Sequence, residues 1–449
     1  MSAGPLTLPT GPGLPDAAAA IVTGVARPAV LHSSLAVAEC ATASVAGCLL
    51  AAAELAHART GRRPVVTVDT AHVAAAVRSE ALLRDPSGQG VPGFAPLSRL
   101  WPAADGWVRT HANYPWHRAA LLRALAVPDG PDDAVLPLVC QAIERRPATD
   151  VERLVYEAGG LAVAARTTER WRSEHPSDDA PLVSIVASGA APALPAAGPL
   201  PASGVRVLDL TRVLAGPVAT RMLAALGADV LRVDDPARPE LESLTVDGVL
   251  GKASTMVDAR TPAGLETLHR LAAGADVIVT GCRPGALDRF GLAPARLAER
   301  HPGTIVATLS AWGTTGVWGA RRGFDSLVQI ATGIGWAAGD GTRPGALPCQ
   351  LLDHATGYLL ACGVLAALTR RARAGEVAHV SVSLERTARW LLEQGTRAAG
   401  DPGGEDPDAY RVDLGDGWTG ISPPGSLDGR PLRWPHLPPA YGVAQPAWG

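Results

Sequence analysis

The sequence predicts an α/β protein in two parts, a parallel-sheet domain over residues 204–394 and a smaller α+β domain over residues 31–187. Three observations carry this. Residues 204–235 (GVRVLDLTRVLAGPVATRMLAALGADVLRVDD) read as a strand, a glycine turn at Ala215-Gly216-Pro217, a helix and a second strand. Strands joined through a helix lie parallel, so this is a Rossmann-like unit whose helix N-terminus offers backbone N–H groups to an anion. Residues 351–384 read as an apolar helix closed by Arg370, Arg371, Arg373 and Gly375, then a short alternating strand. Basic residues and a glycine suit a helix end, where the last carbonyls are partly negative and the final turn favours a left-handed residue. Between the two parts, residues 188–203 are rich in Ala and Pro and read as a linker.

In chain order, residues 1–30 are Pro/Gly/Ala-rich and expected to be poorly ordered. A helix and a strand follow over residues 39–70, and this unit is a copy of the later one: Glu39 aligns with Asp353 and Gly61 with Gly375, without a gap. A helix over residues 72–84 leads into a glycine loop containing Gly88, Gly90 and Gly93. Residues 100–112 read as a hairpin turning at Ala104-Asp105-Gly106, because Asp-Gly supplies the positive φ angles of tight hairpins. Helices over 115–126 and 149–158 and a strand over 161–165 complete the small domain. Beyond the linker come the Rossmann-like unit, strands near 274–280 and 304–311, a helix over 326–332 and the second repeat copy. The tail, 395–449, is Pro/Gly-rich and expected to wrap the domain without regular structure.

Bulk properties exclude several classes. A net charge of −3 with no basic run argues against nucleic-acid binding. The six cysteines form no CxxC pair and meet no histidine cluster, so they read as buried thiols of a reducing compartment, with no metal site. Residues 1–20 lack a basic leader and are broken by Pro5, Pro9, Pro12 and Pro15, which argues against a signal peptide. The longest apolar helix, near 41–58, contains Glu54 and is too short to span a bilayer. A cytoplasmic protein without membrane or permanently bound cofactor is expected.

Asp353, at the start of the second repeat helix, is a helix cap or a nucleophile; Glu39 at the equivalent position is read as a cap. Residues 352–357 with the helix and strand that follow, residues 204–235, residues 251–264 and residues 274–291 together resemble family III CoA-transferases, the formyl-CoA and carnitine-CoA transferase type. The resemblance implies a CoA-binding Rossmann-like domain, acyl-CoA and carboxylic acid substrates, and a homodimer that can be interlocked. It implies that Asp353 is the catalytic aspartate, that Val213-Leu214-Ala215 lies against CoA, and that Lys252, the only lysine, meets the CoA phosphates with Arg283 or Arg289. The family's usual order is altered here, with the small domain first, and Gly281-Cys282, Ala253 and Asp234-Asp235-Pro236 depart from its pattern.

The chemistry implied is an attack of the Asp353 carboxylate on a thioester, giving an acyl-aspartyl anhydride and then an aspartyl-CoA thioester. Gly88 and Gly90 are candidate oxyanion donors, because glycine lets backbone N–H groups approach closely. Asp325 positions the substrate or tunes the nucleophile; otherwise it caps the helix after it. Racemases of α-methylacyl-CoA share the fold but need a histidine where Phe324 stands, and phenylalanine carries no proton. The other class of function is a non-catalytic binding or assembly protein built on the same fold.

Overall fold

The computed structural model describes residues 4–5, 22–25, 30–176, 180–192, 194, 196–396 and 406–449. Its centre is a seven-stranded sheet in the spatial order Ala253–Met256, Asp229–Asp234, Arg206–Leu210, Val277–Thr280, Ile305–Ser310, Glu376–Ser383, Ser184–Ala190. The first six are parallel and the last is antiparallel. Runs such as VIVT and IVATLS suit this position, since a parallel sheet covered on both faces needs branched apolar residues on both. Counted along the chain, the parallel strands run 3-2-1-4-5-6, the doubly wound order. It leaves a crevice between Arg206–Leu210 and Val277–Thr280, where the winding reverses.

The repeat is structural. Val37–Thr60 and Leu351–Ala374 are both helices of 24 residues, their bounds equivalent in the repeat. Each ends on a glycine in the left-handed region, Gly61 at φ 75° and Gly375 at φ 68°. The two helices pack on each other near the repeat-equivalent Cys48 and Cys362, where Cys362 Sγ donates to the Gly47 carbonyl at 3.4 Å. Both are long and apolar enough to cross a membrane, longer than the sequence reading of 41–58, and both are mostly buried inside the protein.

This pairing redraws the expected 31–187 domain. Helix Val37–Thr60 shares one core with the large sheet and helix Leu351–Ala374. The separate small core holds Trp101, Val108, Leu121, Ile143 and Val155. It is built from the hairpin Leu100–Ala103/Gly106–Thr110, helices Pro115–Leu125, Asp132–Glu144 and Ala148–Glu157, and strand Ala162–Ala164. The expected linker begins inside strand Ser184–Ala190, which pairs with Glu376–Ser383.

Most of residues 1–30 lie outside the described residues, so the expected disorder there is not addressed. Gly4–Pro5 and Val22–Val25 within it are strands, and the second pairs in parallel with Val66–Asp69. The tail is more regular than expected. Arg411–Gly415 and Trp418–Ile421 form a hairpin, and so do Ser426–Leu427 and Arg430–Pro431. Both turn on Asp-Gly, with Asp416 and Gly417 at φ 50° and 81° and Asp428 and Gly429 at 51° and 72°. That is the turn chemistry hairpins favour.

Candidate active site

The reversal point of the sheet opens into a cavity of about 220 Å³. Leu210 lines it from the end of one strand, and Gly281 and Cys282 from the end of the neighbouring one. Val213 and Ala215 form its floor, and Tyr114, Trp116 and His117 reach it from the small domain. Cys282, expected to be buried with the other thiols, is exposed in the loop after Val277–Thr280. Val213 has φ 69°, a strained conformation for a β-branched residue. Its N–H donates to Glu240 Oε2 at 2.8 Å, which holds the turn in place.

Asp353 lines the same cavity. Helix Leu351–Ala374 starts after Gln350, so Asp353 sits in the first turn at the third helical position rather than at the cap. Among the described residues no protein hydrogen bond holds its carboxylate, and it is buried. Burial first, then the charges of Asp325 and Glu80, push its pKa well above the ordinary carboxylate value. Asp325 lies directly behind it: its Oδ2 accepts from the Asp353 N–H at 3.1 Å, and its Oδ1 accepts from Gln329 Nε2. Burial raises Asp325 to about 6 against the pull of these donors. Asp325 is therefore not a cap for the helix Asp325–Ala331, which begins without a side-chain cap. His354 turns away from the cavity and pairs with Glu80 through Nε2 at 2.8 Å.

Arginines surround this acid. Arg212, Arg238, Arg283, Arg321 and Arg322 all line the cavity. Arg322 is lowered below the ordinary guanidinium value, by burial first and then by Arg283 and Arg238, so these three cations crowd one another. His117 is pushed down to about 3, again by burial and then by Arg322, Arg238 and Arg212, which leaves it neutral. Arg212 pairs with Glu240 at 3.4 Å and Arg321 with Glu152 at 3.6 Å, while Arg238, Arg283 and Arg322 have no ion pair among the described residues. Positive charge left over in a concave site favours an anionic ligand.

Of the expected site residues, Asp353, Val213, Ala215 and Arg283 meet at this cavity, Leu214 is buried beside them, and Asp325 backs Asp353. Three expectations do not fit. Lys252 is enclosed, its Nζ donating to Asp209 Oδ2 at 3.0 Å, Pro217 O at 3.1 Å and Gly248 O at 2.8 Å. With all three N–H groups engaged inside the fold, it has none for a phosphate. Arg289 is exposed away from the cavity, its guanidinium 4.5 Å from the Phe290 ring centroid. Gly88 and Gly90 lie in an exposed turn closed by Gly88 N–H to Asp85 O, and neither lines the cavity. The sequence reading missed Arg212, Arg238, Arg321 and Arg322. A usable signal existed, because each falls in a loop after the carboxyl end of a parallel strand, where such sheets bind ligands.

Residues 202–413 match the family model of CoA-transferase family III. The chain is 37% identical over 227 residues to a probable fatty acyl-CoA transferase, Rv3272, of Mycobacterium tuberculosis, covering 46% of this chain and 57% of that protein. It is 27% identical over 392 residues to acetyl-coenzyme A transferase nodX of Hypoxylon pulicicidum, covering 75% and 66%. A crystal structure of Rv3272 aligns with TM-score 0.41 at 37% identity, over 43% of this chain and 56% of that one. The chain thus spans between about half and two thirds of the length of these relatives. The matched segment carries Asp353, Asp325 and all five cavity arginines; Tyr114, Trp116 and His117 lie outside it.

Proposed function

We propose that the protein is an acyl-CoA:carboxylate CoA-transferase with Asp353 as nucleophile. The observation that carries this is a buried, unliganded carboxylate facing a cavity rimmed by five arginines. A relative, succinate–glutarate CoA-transferase of Agrobacterium fabrum, is named for the same class of reaction. The cavity suits the thioester end of CoA, and the arginines at its mouth suit the phosphates.

The Asp353 carboxylate attacks the thioester carbonyl, the C–S bond breaks, and CoA leaves as thiolate. The product is an acyl-aspartyl anhydride. The thiolate then attacks the aspartyl carbonyl and expels the donor acid, leaving an aspartyl-CoA thioester. An acceptor carboxylate attacks that thioester to form a new anhydride, and the returning thiolate takes the acceptor acyl group and frees Asp353. Helix Ala215–Ala225 begins at the cavity without a side-chain cap, so its first N–H groups are the donors for the developing oxyanions. This replaces Gly88 and Gly90 in that role.

Trapping tests the reading. With an acyl-CoA and hydroxylamine, the wild type should carry a hydroxamate on Asp353, and Asp353→Asn should show neither hydroxamate nor transfer. Unchanged turnover in Asp353→Asn would remove Asp353 from the mechanism. The enclosure of Lys252 favours one other reading, a non-catalytic binding or assembly protein on the same fold; it would give no CoA binding by calorimetry at millimolar ligand and no hydroxamate in the wild type.

A further inference from the structure

Glu240 lies in the loop after strand Asp229–Asp234, its side chain fully enclosed against three residues of the cavity lining, Tyr114, Arg212 and Val213. Five donors converge on its carboxylate. Oε1 accepts from the Tyr114 hydroxyl, from Leu241 N–H at 3.0 Å and from Arg212 at 3.4 Å. Oε2 accepts from Val213 N–H at 2.8 Å and from Arg232 at 3.2 Å. The Glu240 N–H in turn donates to the Tyr441 hydroxyl of the tail at 3.1 Å. Burial alone would raise the Glu240 pKa, but Arg212 and Arg232 hold it below the ordinary carboxylate value, so the group is charged.

These contacts join distant parts of the chain. Tyr114 immediately precedes helix Pro115–Leu125, whose Leu121, Leu122 and Leu125 lie in the small core. Arg212 also touches this side, its guanidinium 5.1 Å from the Tyr114 ring centroid and 5.8 Å from that of Trp116. Val213 is the turn residue at φ 69°, and a strained residue persists only where its surroundings hold it. Its bond to a buried carboxylate is charge-assisted and so stronger than a neutral one. The small domain has another tie to the cavity lining, from the Tyr156 hydroxyl to the Arg322 carbonyl at 2.8 Å. That tie ends on an arginine loop, whereas the Tyr114 tie ends on the residue that holds Val213.

We propose that Glu240 is a positioning residue, a latch through which contact with the small domain fixes the turn that faces CoA. Its consequence for catalysis rests on the transfer reading above, while the coupling from Tyr114 to Val213 does not depend on turnover. With Tyr114 seated, both carboxylate oxygens stay aligned and Val213 keeps its conformation. Helix Ala215–Ala225 then keeps its start at the cavity. A glutamine could not replace Glu240. An amide has one acceptor oxygen and a nitrogen that only donates, so one of the two sets of donors would face another donor.

The test measures backbone amide exchange and transfer kinetics on the full chain. Tyr114→Phe removes one hydroxyl and keeps the ring. It should speed exchange at Val213 several-fold, leave strand Ala162–Ala164 of the small domain unchanged, and lower kcat more than it raises KM for the acyl-CoA. Glu240→Gln should act in the same directions, by about ten-fold or more. Adding Tyr114→Phe to Glu240→Gln should then change little, because both act through one carboxylate. Unchanged exchange at Val213 in Tyr114→Phe would overturn the proposal even if Glu240→Gln fails to fold, and so would additive losses in the double variant. Failure of the transfer reading shows separately, as a wild type that forms no hydroxamate on Asp353; the exchange comparison then decides the latch alone.

Discussion

Asp353 holds its proton longer than an ordinary carboxylate because it is buried and faces Asp325 and Glu80. Asp325 is raised in the same direction, to about 6. An acid whose pKa is higher folded than unfolded binds more protons in the folded state, so its contribution to stability falls as pH rises through that window. For Asp325 the window runs from the ordinary aspartate value to about 6, and for Asp353 it extends upward from the same starting point. Asp353→Asn should therefore gain stability relative to wild type as pH goes from 4 to 7, on the order of 1 kcal/mol or more. Denaturant unfolding at the two pH values checks this, and a pH-independent difference would mean that Asp353 is not strained as a carboxylate. Asp353 was legible from the sequence because the repeat set it at the head of a helix and the resemblance to family III CoA-transferases gave that position its role. Lys252 was misread because a lone lysine gives no hint that Asp209, on the central strand, would enclose it.

At the scale of elements, one glycine sets the distance between the helix that carries Asp353 and the helix that begins at Ala215. A Cβ added at Gly357 would lie 2.5 Å from the Ala215 carbonyl and 2.8 Å from Val218 Cβ. Helix Leu351–Ala374 can therefore touch helix Ala215–Ala225 only because residue 357 has no side chain. Gly357→Val should force the helices apart, cost about 1–3 kcal/mol and lower transfer well beyond what the stability loss explains. Crystallography or cysteine crosslinking across the two helices would show the displacement; a well-folded, fully active variant would refute this spacing role. The helix–strand repeat and its glycine ends were readable, because apolar periodicity and end chemistry are local. The tail hairpins were missed: Asp416-Gly417 and Asp428-Gly429 carry the signal used at Asp105-Gly106, but the surrounding Pro and Gly obscured the strands.

For the whole molecule, the decisive contact was not local. Nothing within residues 37–60 says which helix will cover them, and the division at the Ala/Pro stretch set this helix apart from the sheet domain. The structure instead buries it against Leu351–Ala374, with Cys48, Leu49 and Leu55 fully enclosed. A fragment of residues 204–449 alone would expose the apolar face this helix covers. It should aggregate or remain unfolded, and coexpression with residues 1–203 should restore a soluble complex. A soluble, cooperatively melting 204–449 fragment would show that the first helix is dispensable to the core.

The enclosure of Lys252 has a consequence for the surface. Acyl thioesters and acyl anhydrides modify primary amines without any catalyst, and a chain that handles them presents its own lysines as targets. Here the single side-chain amine has its three N–H groups engaged inside the fold, and burial pulls its pKa down to about 8. The exposed Lys/Arg positions of the described protein are therefore all arginine, which does not acylate under these conditions. An amine-selective ester at neutral pH should add one label to the native chain, at the terminal amino group, and a second only after denaturation. The second label would then count unfolded molecules directly.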